Sequence, residues 1–198
     1  MSSIIDPAPP ARHVLRQRLL ALREQFITGP RGPAATEALA RHLAALLARL
    51  EPGCLGVYWP VRNEFNPRAA LDLASTASGR WPPWPLALPY CIRDPREMHF
   101  RRWDGAVPAV RDECRIPSSE GAAVVPDVVL APCVGHTAAG YRLGYGGGYF
   151  DRWLAAHPHV TAVGVSLAAL EIGAADYAPE AHDVALAAVV TEQGVVRE

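Results

Sequence analysis

The sequence predicts an α/β layered domain, because apolar runs typical of buried strands alternate with segments of helical periodicity. Residues 160–166 and 184–190 are apolar and rich in valine, as expected of core strands. Residues 124–134 show no apolar–polar alternation from Val128 onward. That pattern favours a strand buried on both faces of a parallel sheet.

Two helices are predicted before the first strand, over residues 11–26 and 34–50, separated by the glycines and prolines of residues 28–33. We expect them to form an α-hairpin on one side of the sheet. In the first helix, Arg12, Arg16 and Arg23 lie on a different face from the leucines. Arg12 and Arg16 are one turn apart and could contact one polyphosphate. The alternative is a solvated arginine face.

The first core strand is predicted over residues 55–59 and leads into a polar loop over residues 60–66. In open α/β sheets, ligands bind at the carboxyl ends of the strands. Arg62 and Glu64 are therefore candidate site residues, and Trp59 is a candidate stacking surface. For Glu64 the alternative is a solvated loop carboxylate.

The other predicted elements alternate between helix and strand. They are a helix over 67–77, a strand over 86–90, an outer strand over 97–103, a mostly irregular stretch over 104–121 and a short helix or turn over 168–175.

Composition indicates one soluble domain over residues 11–198, preceded by a flexible proline-bearing arm over residues 1–10. The net charge of −1 argues against a protein that coats nucleic acid. All 19 basic residues are arginine, which excludes a catalytic Schiff-base lysine and the lysine of a standard P-loop.

Localisation is predicted to be cytoplasmic. The four cysteines contain no C-x-x-C pair and are expected to be reduced thiols. The first residues lack the basic start and apolar core of a signal peptide, and no apolar run is long enough to span a membrane.

Residues 142–151, Arg-Leu-Gly-Tyr-Gly-Gly-Gly-Tyr-Phe-Asp, form a glycine loop that runs into a helix predicted to end near residue 157. Exposed backbone N–H groups and the positive end of a helix dipole make such a loop a candidate anion site. Its glycines follow neither the P-loop nor the dinucleotide-binding pattern. The alternative is a tight turn that uses glycine only for its backbone geometry.

Two aspartates are candidate Mg²⁺ ligands. Asp151 follows Gly148 closely enough to hold an ion that bridges phosphates bound by the loop. Asp183, just before the last predicted strand, could supply a second oxygen from the same sheet edge. Taken alone, each aspartate could instead cap a helix or strand.

These segments resemble the 5-formyltetrahydrofolate cyclo-ligase family, also called methenyltetrahydrofolate synthetases, over nearly the whole chain. Residues 140–151 are similar to the family pattern G-x-R-L-G-x-G-x-G-[YF]-[YF]-D. Supporting similarities occur at residues 15–16, 58–64, 98–100, 182–183 and 189–192. The resemblance implies a three-layer α/β/α domain with a mostly parallel sheet, of the NagB/RpiA/CoA-transferase-like type.

The resemblance also implies an ATP- and Mg²⁺-dependent conversion of 5-formyltetrahydrofolate to 5,10-methenyltetrahydrofolate through phosphorylation of the formyl oxygen. Phosphoryl transfer needs mainly positioning and charge neutralisation. Carried over by position, the catalytic residues would be Glu64, Arg142 and Tyr149. The folate would contact Trp59 and Glu64, and Mg²⁺ would be held by Asp151 and Asp183. ATP would be bound by Arg12, His13, Val14, Leu15, Arg16, Arg142, Leu143, Gly144, Tyr145, Gly146, Gly147, Gly148, Tyr149 and Phe150.

Several positions depart from the family pattern. The N-terminal lysine is Arg12, which keeps the charge but not its geometry. The usual Phe-Asp before the glycine loop is His136-Thr137, and the usual Glu-Pro after residue 117 is Ser118-Ser119. The open alternatives are a paralogue with another substrate and a non-catalytic regulator that binds nucleotide or folate. We expect a monomer whose partners are small molecules, without nucleic acid or membrane binding.

Overall fold

The computed structural model describes residues 11–197, so the predicted N-terminal arm lies outside the described residues. The helices are α1 (Arg12–Thr28), α2 (Gly32–Leu50), α3 (Arg68–Ser78) and α4 (Tyr149–Ala156), with a single 3₁₀ turn at Ala168–Leu170. The strands are β1 (Leu55–Gly56), β2 (Leu86–Ile92), β3 (Glu97–Trp103), β4 (Val110–Arg111), β5 (Pro117–Ser118), β6 (Ala123–Val124), β7 (Val128–Pro132), β8 (Gly135–His136), β9 (Arg142–Leu143), β10 (Thr161–Val165), β11 (Ala188–Thr191) and β12 (Gly194–Arg197).

The main sheet has eight strands in the order β12-β11-β10-β7-β1-β2-β3-β6. The five strands from β11 to β2 are parallel, and the outer strands β12, β3 and β6 pair antiparallel. In register, Val163 of β10 lies between Leu130 of β7 and Ala188 of β11. The mostly parallel α/β sheet is confirmed.

Alternate residues of the central strands feed two cores, one on each face of the sheet. Leu130 packs into a cluster with the leucines of α1 and α2, while its neighbour Val129 packs with Trp153 of α4. Both β7 residues are fully buried, as the absence of alternation predicts. The α-hairpin therefore covers one face and α4 the other, which gives the three layers.

Three strand boundaries differ from the predictions. The stretch over residues 124–134 is divided into β6 and β7, because Pro126 has no N–H for a ladder. The last parallel strand begins at Ala188 and not at residue 184, since the Leu186 N–H bonds to the Gly140 carbonyl outside the sheet. β1 pairs over only two residues.

Two pairings were not predicted. β12 folds back on β11 through a short turn in which Gly194 has φ +124°, a value that favours glycine. The stretch over residues 104–121, predicted to be irregular, contains the two-residue pair β4–β5. Among the described residues no helix is long and apolar enough to cross a membrane.

Candidate active site

A cavity of ≈ 720 Å³ opens at the carboxyl ends of the parallel strands. This is the sheet edge at which α/β domains bind ligands, and the volume is typical of a site for small molecules. Strands β2 and β7 contribute to its base, and five other segments form its wall: the N-terminal turns of α1, the loop after β1, the segment between β4 and β5, the glycine loop with the start of α4, and the loop that precedes β11. All five segments come from separate parts of the chain.

The glycine loop lines this cavity and enters α4 at Tyr149. Gly146 and Gly148 have φ values of +92° and +66°, which side-chain-bearing residues rarely adopt. Arg16 supports the loop from α1, because its Nε donates a hydrogen bond of 2.7 Å to the Gly144 carbonyl. The loop is therefore both conformationally specialised and fixed against the helix that carries the predicted phosphate-binding arginines.

Arg142 and Asp151 form a buried ion pair beside the loop. Arg142 Nη2 lies 2.9 Å from Asp151 Oδ1, and the two side chains are 4 % and 14 % exposed. Neither atom has a partner in hydrogen-bonding geometry among the described residues. The guanidinium also lies 5.3 Å from the centre of the Phe150 ring. A buried cation with unused donors at the cavity wall is suited to binding an anionic group.

Arg12 and Asp183 form a second ion pair, which joins α1 to the loop before β11. Arg12 Nη1 and Nη2 lie 3.2 and 2.5 Å from the two carboxylate oxygens. Asp183 Oδ2 also accepts hydrogen bonds from Tyr177 Oη and from the Glu180 N–H. Burial alone would raise the pKa of Asp183, but these hydrogen bonds, that of Arg12 foremost, outweigh it and lower the pKa.

The Asp183 pair predicts a specific pH dependence of stability. Because its pKa is lower in the folded than in the unfolded chain, its contribution is complete above the unfolded value of about 3.9 and is lost as pH falls through the folded value. We expect Asp183→Asn to reduce the free energy of unfolding by about 2 kcal/mol at pH 7, as for a hydrogen bond to a charged group.

That difference should shrink towards zero as the pH falls below the ordinary range of a carboxyl pKa, as measured by urea unfolding at a series of pH values. Asp176→Asn is the matched control, since Asp176 is 45 % exposed and lies 3.9 Å from Arg18. A pH-independent effect of the Asp183 substitution would contradict the prediction.

Glu64 lies at the inner wall of the cavity, with a side chain only 3 % exposed. Its Oε1 accepts a hydrogen bond of 2.6 Å from Tyr145 Oη, and its Oε2 accepts one of 2.8 Å from the Val61 N–H. Arg23 Nη1 is 3.9 Å from Oε1. Burial raises the pKa of Glu64, although the two hydrogen bonds and the charges of Arg23 and Arg62 oppose the shift. Glu64 is thus not the solvated loop carboxylate of the alternative interpretation.

Two aromatic side chains complete the wall. Trp59 is partly buried in the loop after β1, with its ring 6.3 Å from that of Trp103 in an edge-on arrangement. Tyr149 lies at the start of α4, and Cys114 Sγ donates a hydrogen bond of 3.3 Å to its hydroxyl. The neighbouring Cys114 thiol, whose ionised form would repel the phenolate, raises the pKa of Tyr149 together with burial to about 12, so the Tyr149 hydroxyl is protonated at neutral pH.

The structure divides the predicted ATP-binding residues of α1 into two groups. Arg12 and Arg16 lie on the cavity wall, one helical turn apart. The three residues between them are not part of the wall: His13 and Val14 are exposed, and Leu15 is buried in the core. All predicted residues of the glycine loop, from Arg142 to Asp151, line the cavity, and so do Asp183, Glu64 and Trp59.

Arg23 was predicted to lie on a helix face away from the leucines, and this prediction was wrong. Arg23 is only 3 % exposed and packs on the same side as Leu15 and Leu19, whereas Leu22, predicted to be inward, is 36 % exposed. Its spacing of seven residues from Arg16 places it two turns further along the same stripe. That spacing was the available signal. Arg23 is not part of the cavity wall itself but contacts two residues of the wall, Tyr145 and Glu64. Cys91, Cys114 and Arg115 do line the cavity and were not predicted.

The departures at His136-Thr137 and Ser118-Ser119 lie away from the cavity wall, whereas the third, Arg12, lies on it. His136 is fully buried, with Nδ1 2.9 Å from Ser166 Oγ, and burial lowers its pKa to about 4, so that it is neutral at pH 7. Ser118 is buried and donates a hydrogen bond of 2.7 Å to the Pro89 carbonyl. Both side chains are therefore packing and hydrogen-bonding elements of the surrounding structure.

Asp151 and Asp183 offer the hard oxygen ligands that Mg²⁺ prefers, and both line the cavity that contains the glycine loop. Each is paired with an arginine here, and both oxygens of Asp183 accept hydrogen bonds from Arg12, so metal binding would have to replace part of these contacts. Within residues 11–197, no group of three or more His, Cys, Asp or Glu side chains could hold a metal alone. This donor set fits an ion bound by one or two carboxylates together with substrate phosphates. It does not fit a closed all-protein site.

Comparisons with known proteins agree with this fold. The sequence profile of the 5-formyltetrahydrofolate cyclo-ligase family matches residues 8–192. A 5,10-methenyltetrahydrofolate synthetase from Mycoplasma pneumoniae has a similar structure, with a TM-score of 0.70, 19 % identity and coverage of 92 % of this chain and 99 % of its own. A 5,10-methenyltetrahydrofolate synthetase from Aquifex aeolicus gives a TM-score of 0.69, 25 % identity and coverage of 94 % and 92 %. No curated protein matches the sequence.

Proposed function

Since this chain belongs to the 5-formyltetrahydrofolate cyclo-ligase family, we propose that it converts 5-formyltetrahydrofolate into 5,10-methenyltetrahydrofolate at the expense of ATP. The observation that carries the proposal is that one cavity contains both parts of the site: the glycine loop with Arg12, Arg16 and Arg142, and the residues Glu64 and Trp59. One half is suited to a polyphosphate, and the other offers a carboxylate and an aromatic surface to a pterin.

The proposed reaction has two steps. The formyl oxygen attacks the terminal phosphorus of ATP and ADP leaves, which converts the oxygen into a good leaving group. N10 of the folate then attacks the activated formyl carbon, inorganic phosphate leaves with that oxygen, and N10 loses its proton. No protein nucleophile is needed, because the work of the protein in phosphoryl transfer is positioning and charge stabilisation.

The residues of the nucleotide half have separate roles in this proposal. The backbone N–H groups of the glycine loop and the guanidinium groups of Arg12 and Arg16 hold the phosphates. Arg142 stabilises the charge that spreads over the transferred phosphoryl group, and the neutral hydroxyl of Tyr149 can donate a hydrogen bond to it. Asp151 and Asp183 would hold Mg²⁺, which when bound neutralises phosphate charge.

In the folate half, Glu64 orients the pterin and its formyl group by hydrogen bonding, and Trp59 provides a stacking surface. The two hydrogen bonds that Glu64 accepts support this role, because a carboxylate that they already hold in place loses little orientational freedom when the substrate binds. A monomeric state and a cytoplasmic location stay predictions.

The test is a spectroscopic assay with purified protein, 5-formyltetrahydrofolate and Mg-ATP. We expect the near-ultraviolet absorbance of 5,10-methenyltetrahydrofolate to appear in proportion to enzyme, with one ADP released for each product molecule. A well-folded protein that yields no product would contradict the proposal. ATP binding without folate turnover would then favour a paralogue with another substrate. Ligand-induced stabilisation without ATP hydrolysis would favour a regulator.

A further inference from the structure

The hydroxyl of Tyr145 joins three segments of the chain at one point. It donates a hydrogen bond of 2.6 Å to Glu64 Oε1 and accepts one of 2.6 Å from Arg23 Nη2. Tyr145 belongs to the glycine loop, Arg23 to α1 and Glu64 to the loop after β1. The only side-chain hydrogen bond described between the glycine loop and Glu64 thus passes through this hydroxyl.

This junction is held in a buried environment. The side chains of Arg23 and Glu64 are 4 % and 3 % exposed, so water cannot easily replace a lost partner. Glu64 Oε2 is occupied by the Val61 N–H, which leaves Oε1 as the oxygen whose position depends on Tyr145. Any movement of the glycine loop that carries Tyr145 therefore changes the hydrogen bonding of Glu64.

The aromatic ring of Tyr145 is held independently of its hydroxyl. The guanidinium carbons of Arg23 and Arg62 lie 5.9 and 5.5 Å from the ring centre, within the range of cation–π contacts. Removing the hydroxyl alone keeps the ring and both cationic neighbours. The chain thus offers a substitution that breaks the junction with little other change.

We propose that Tyr145 and Arg23 are positioning residues that couple the two halves of the cavity, so that a nucleotide on the glycine loop and a folate at Glu64 strengthen each other's binding. The assignment of the halves to these ligands rests on the proposed function. A nucleotide bound on the loop further restrains Tyr145, and Tyr145 holds Glu64 in the orientation that the folate requires. Such coupling is reciprocal for the two ligands.

The coupling is measured as a ratio of dissociation constants. A non-hydrolysable ATP analogue with Mg²⁺ is titrated by calorimetry with and without saturating 5-formyltetrahydrofolate, and the reverse titration is performed. For the unsubstituted protein we expect each ligand to tighten the other by the same factor, in the usual range of about 5–150-fold. For Tyr145→Phe we expect both ratios to fall close to one, while the dissociation constant of each ligand alone changes less.

Tyr90→Phe is the matched control. It also removes one hydroxyl from a ring that lies 3.8 Å from an arginine, Arg101, but it lies on β2 outside the cavity wall. The control should keep the full ratio. Arg23→Met should also reduce the ratio, and Arg23→Lys should restore part of it, because the ammonium can still donate to the Tyr145 oxygen. Retained thermal stability in these variants separates coupling from misfolding.

The proposal is overturned if the unsubstituted protein binds the two ligands independently, or if Tyr145→Phe keeps the original ratio. Both results are distinct from a failure of the proposed function, which would appear as absence of 5,10-methenyltetrahydrofolate in the spectroscopic assay. A protein that binds no folate would overturn both proposals together.

Discussion

Replacing Arg142 by methionine is expected to lower kcat/KM for ATP by about 10³-fold or more, as removal of a charge that stabilises a phosphoryl-transfer transition state does in other enzymes. The side chain of Arg142 is buried at the cavity wall, where a charge acts with little screening by water. The measurement is steady-state turnover with ATP as the varied substrate. Arg41→Met is the matched control, because the Arg41 side chain is 63 % exposed on α2 and lies outside the cavity wall.

The same substitution should also reduce stability, because it leaves Asp151 buried without its cation. Breaking a buried ion pair by removing one partner costs about 3–5 kcal/mol. Adding Asp151→Asn removes the unpaired charge, so the double variant is expected to recover much of the stability but none of the activity. Recovery of turnover together with stability in the double variant would show that Arg142 acts only through the fold. For the same reason, Asp151→Ala should affect stability as well as Mg-ATP use.

Glu64→Gln is expected to lower kcat/KM for the folate by about 10²-fold or more, with the dissociation constant of Mg-ATP alone changed little. A group that orients the substrate for reaction can contribute rate factors of this order. Gln has the same shape, but its NH₂ group is a donor and cannot accept a hydrogen bond, so one of the two donors, Tyr145 Oη or the Val61 N–H, loses its acceptor. Initial rates at varied folate and separate calorimetry of Mg-ATP measure the two effects.

The pH profile provides a second measurement for Glu64. Burial raises the pKa of this carboxyl, so the charged form is reached only above the ordinary value of about 4.3. If the carboxylate form is the active one, kcat/KM for the folate should rise with pH through that raised pKa, and Glu64→Gln should remove this acid limb. An unchanged acid limb in the variant would assign the titration to another group. Substitution of Trp59 or Tyr149 is not expected to remove this acid limb, because neither side chain titrates in this pH range.

Local patterns predicted the layers of the fold because each depends only on residues close in sequence. The valine runs of β7, β10 and β11, the leucine spacing of α2 and the four glycines before α4 have this character. The β12 hairpin and the β4–β5 pair escaped prediction, since both are only a few residues long and are stabilised by pairing with a neighbour and not by their own composition.

The candidate site was predictable as a set of residues but not as a set of contacts. Arg12 and Asp183 are 171 positions apart, and Tyr145 and Glu64 are 81 apart. Nothing in the local sequence states that these side chains meet. Arg23 shows the same limit within a helix: periodicity located an arginine stripe, but the side of the stripe that is buried depends on the sheet beneath it.

The amino-acid sequence alone determined three features: the layered α/β class, the glycine loop before a helix, and the exclusion of lysine chemistry. Each can be read from the sequence because periodicity, glycine geometry and composition do not depend on contacts between distant residues. The tertiary structure determined which of the site's charged side chains are paired and buried, and how they are oriented. The parallel pairing of β1 with β7 brings the loop after β1 and the β8–β9 hairpin after β7, with the glycine loop that follows it, to one edge of the sheet. Arg12 and Arg16 of α1 line the same cavity. At this edge of the folded sheet Arg142 pairs with Asp151, and Glu64 is shielded from solvent beside Tyr145 and Arg23.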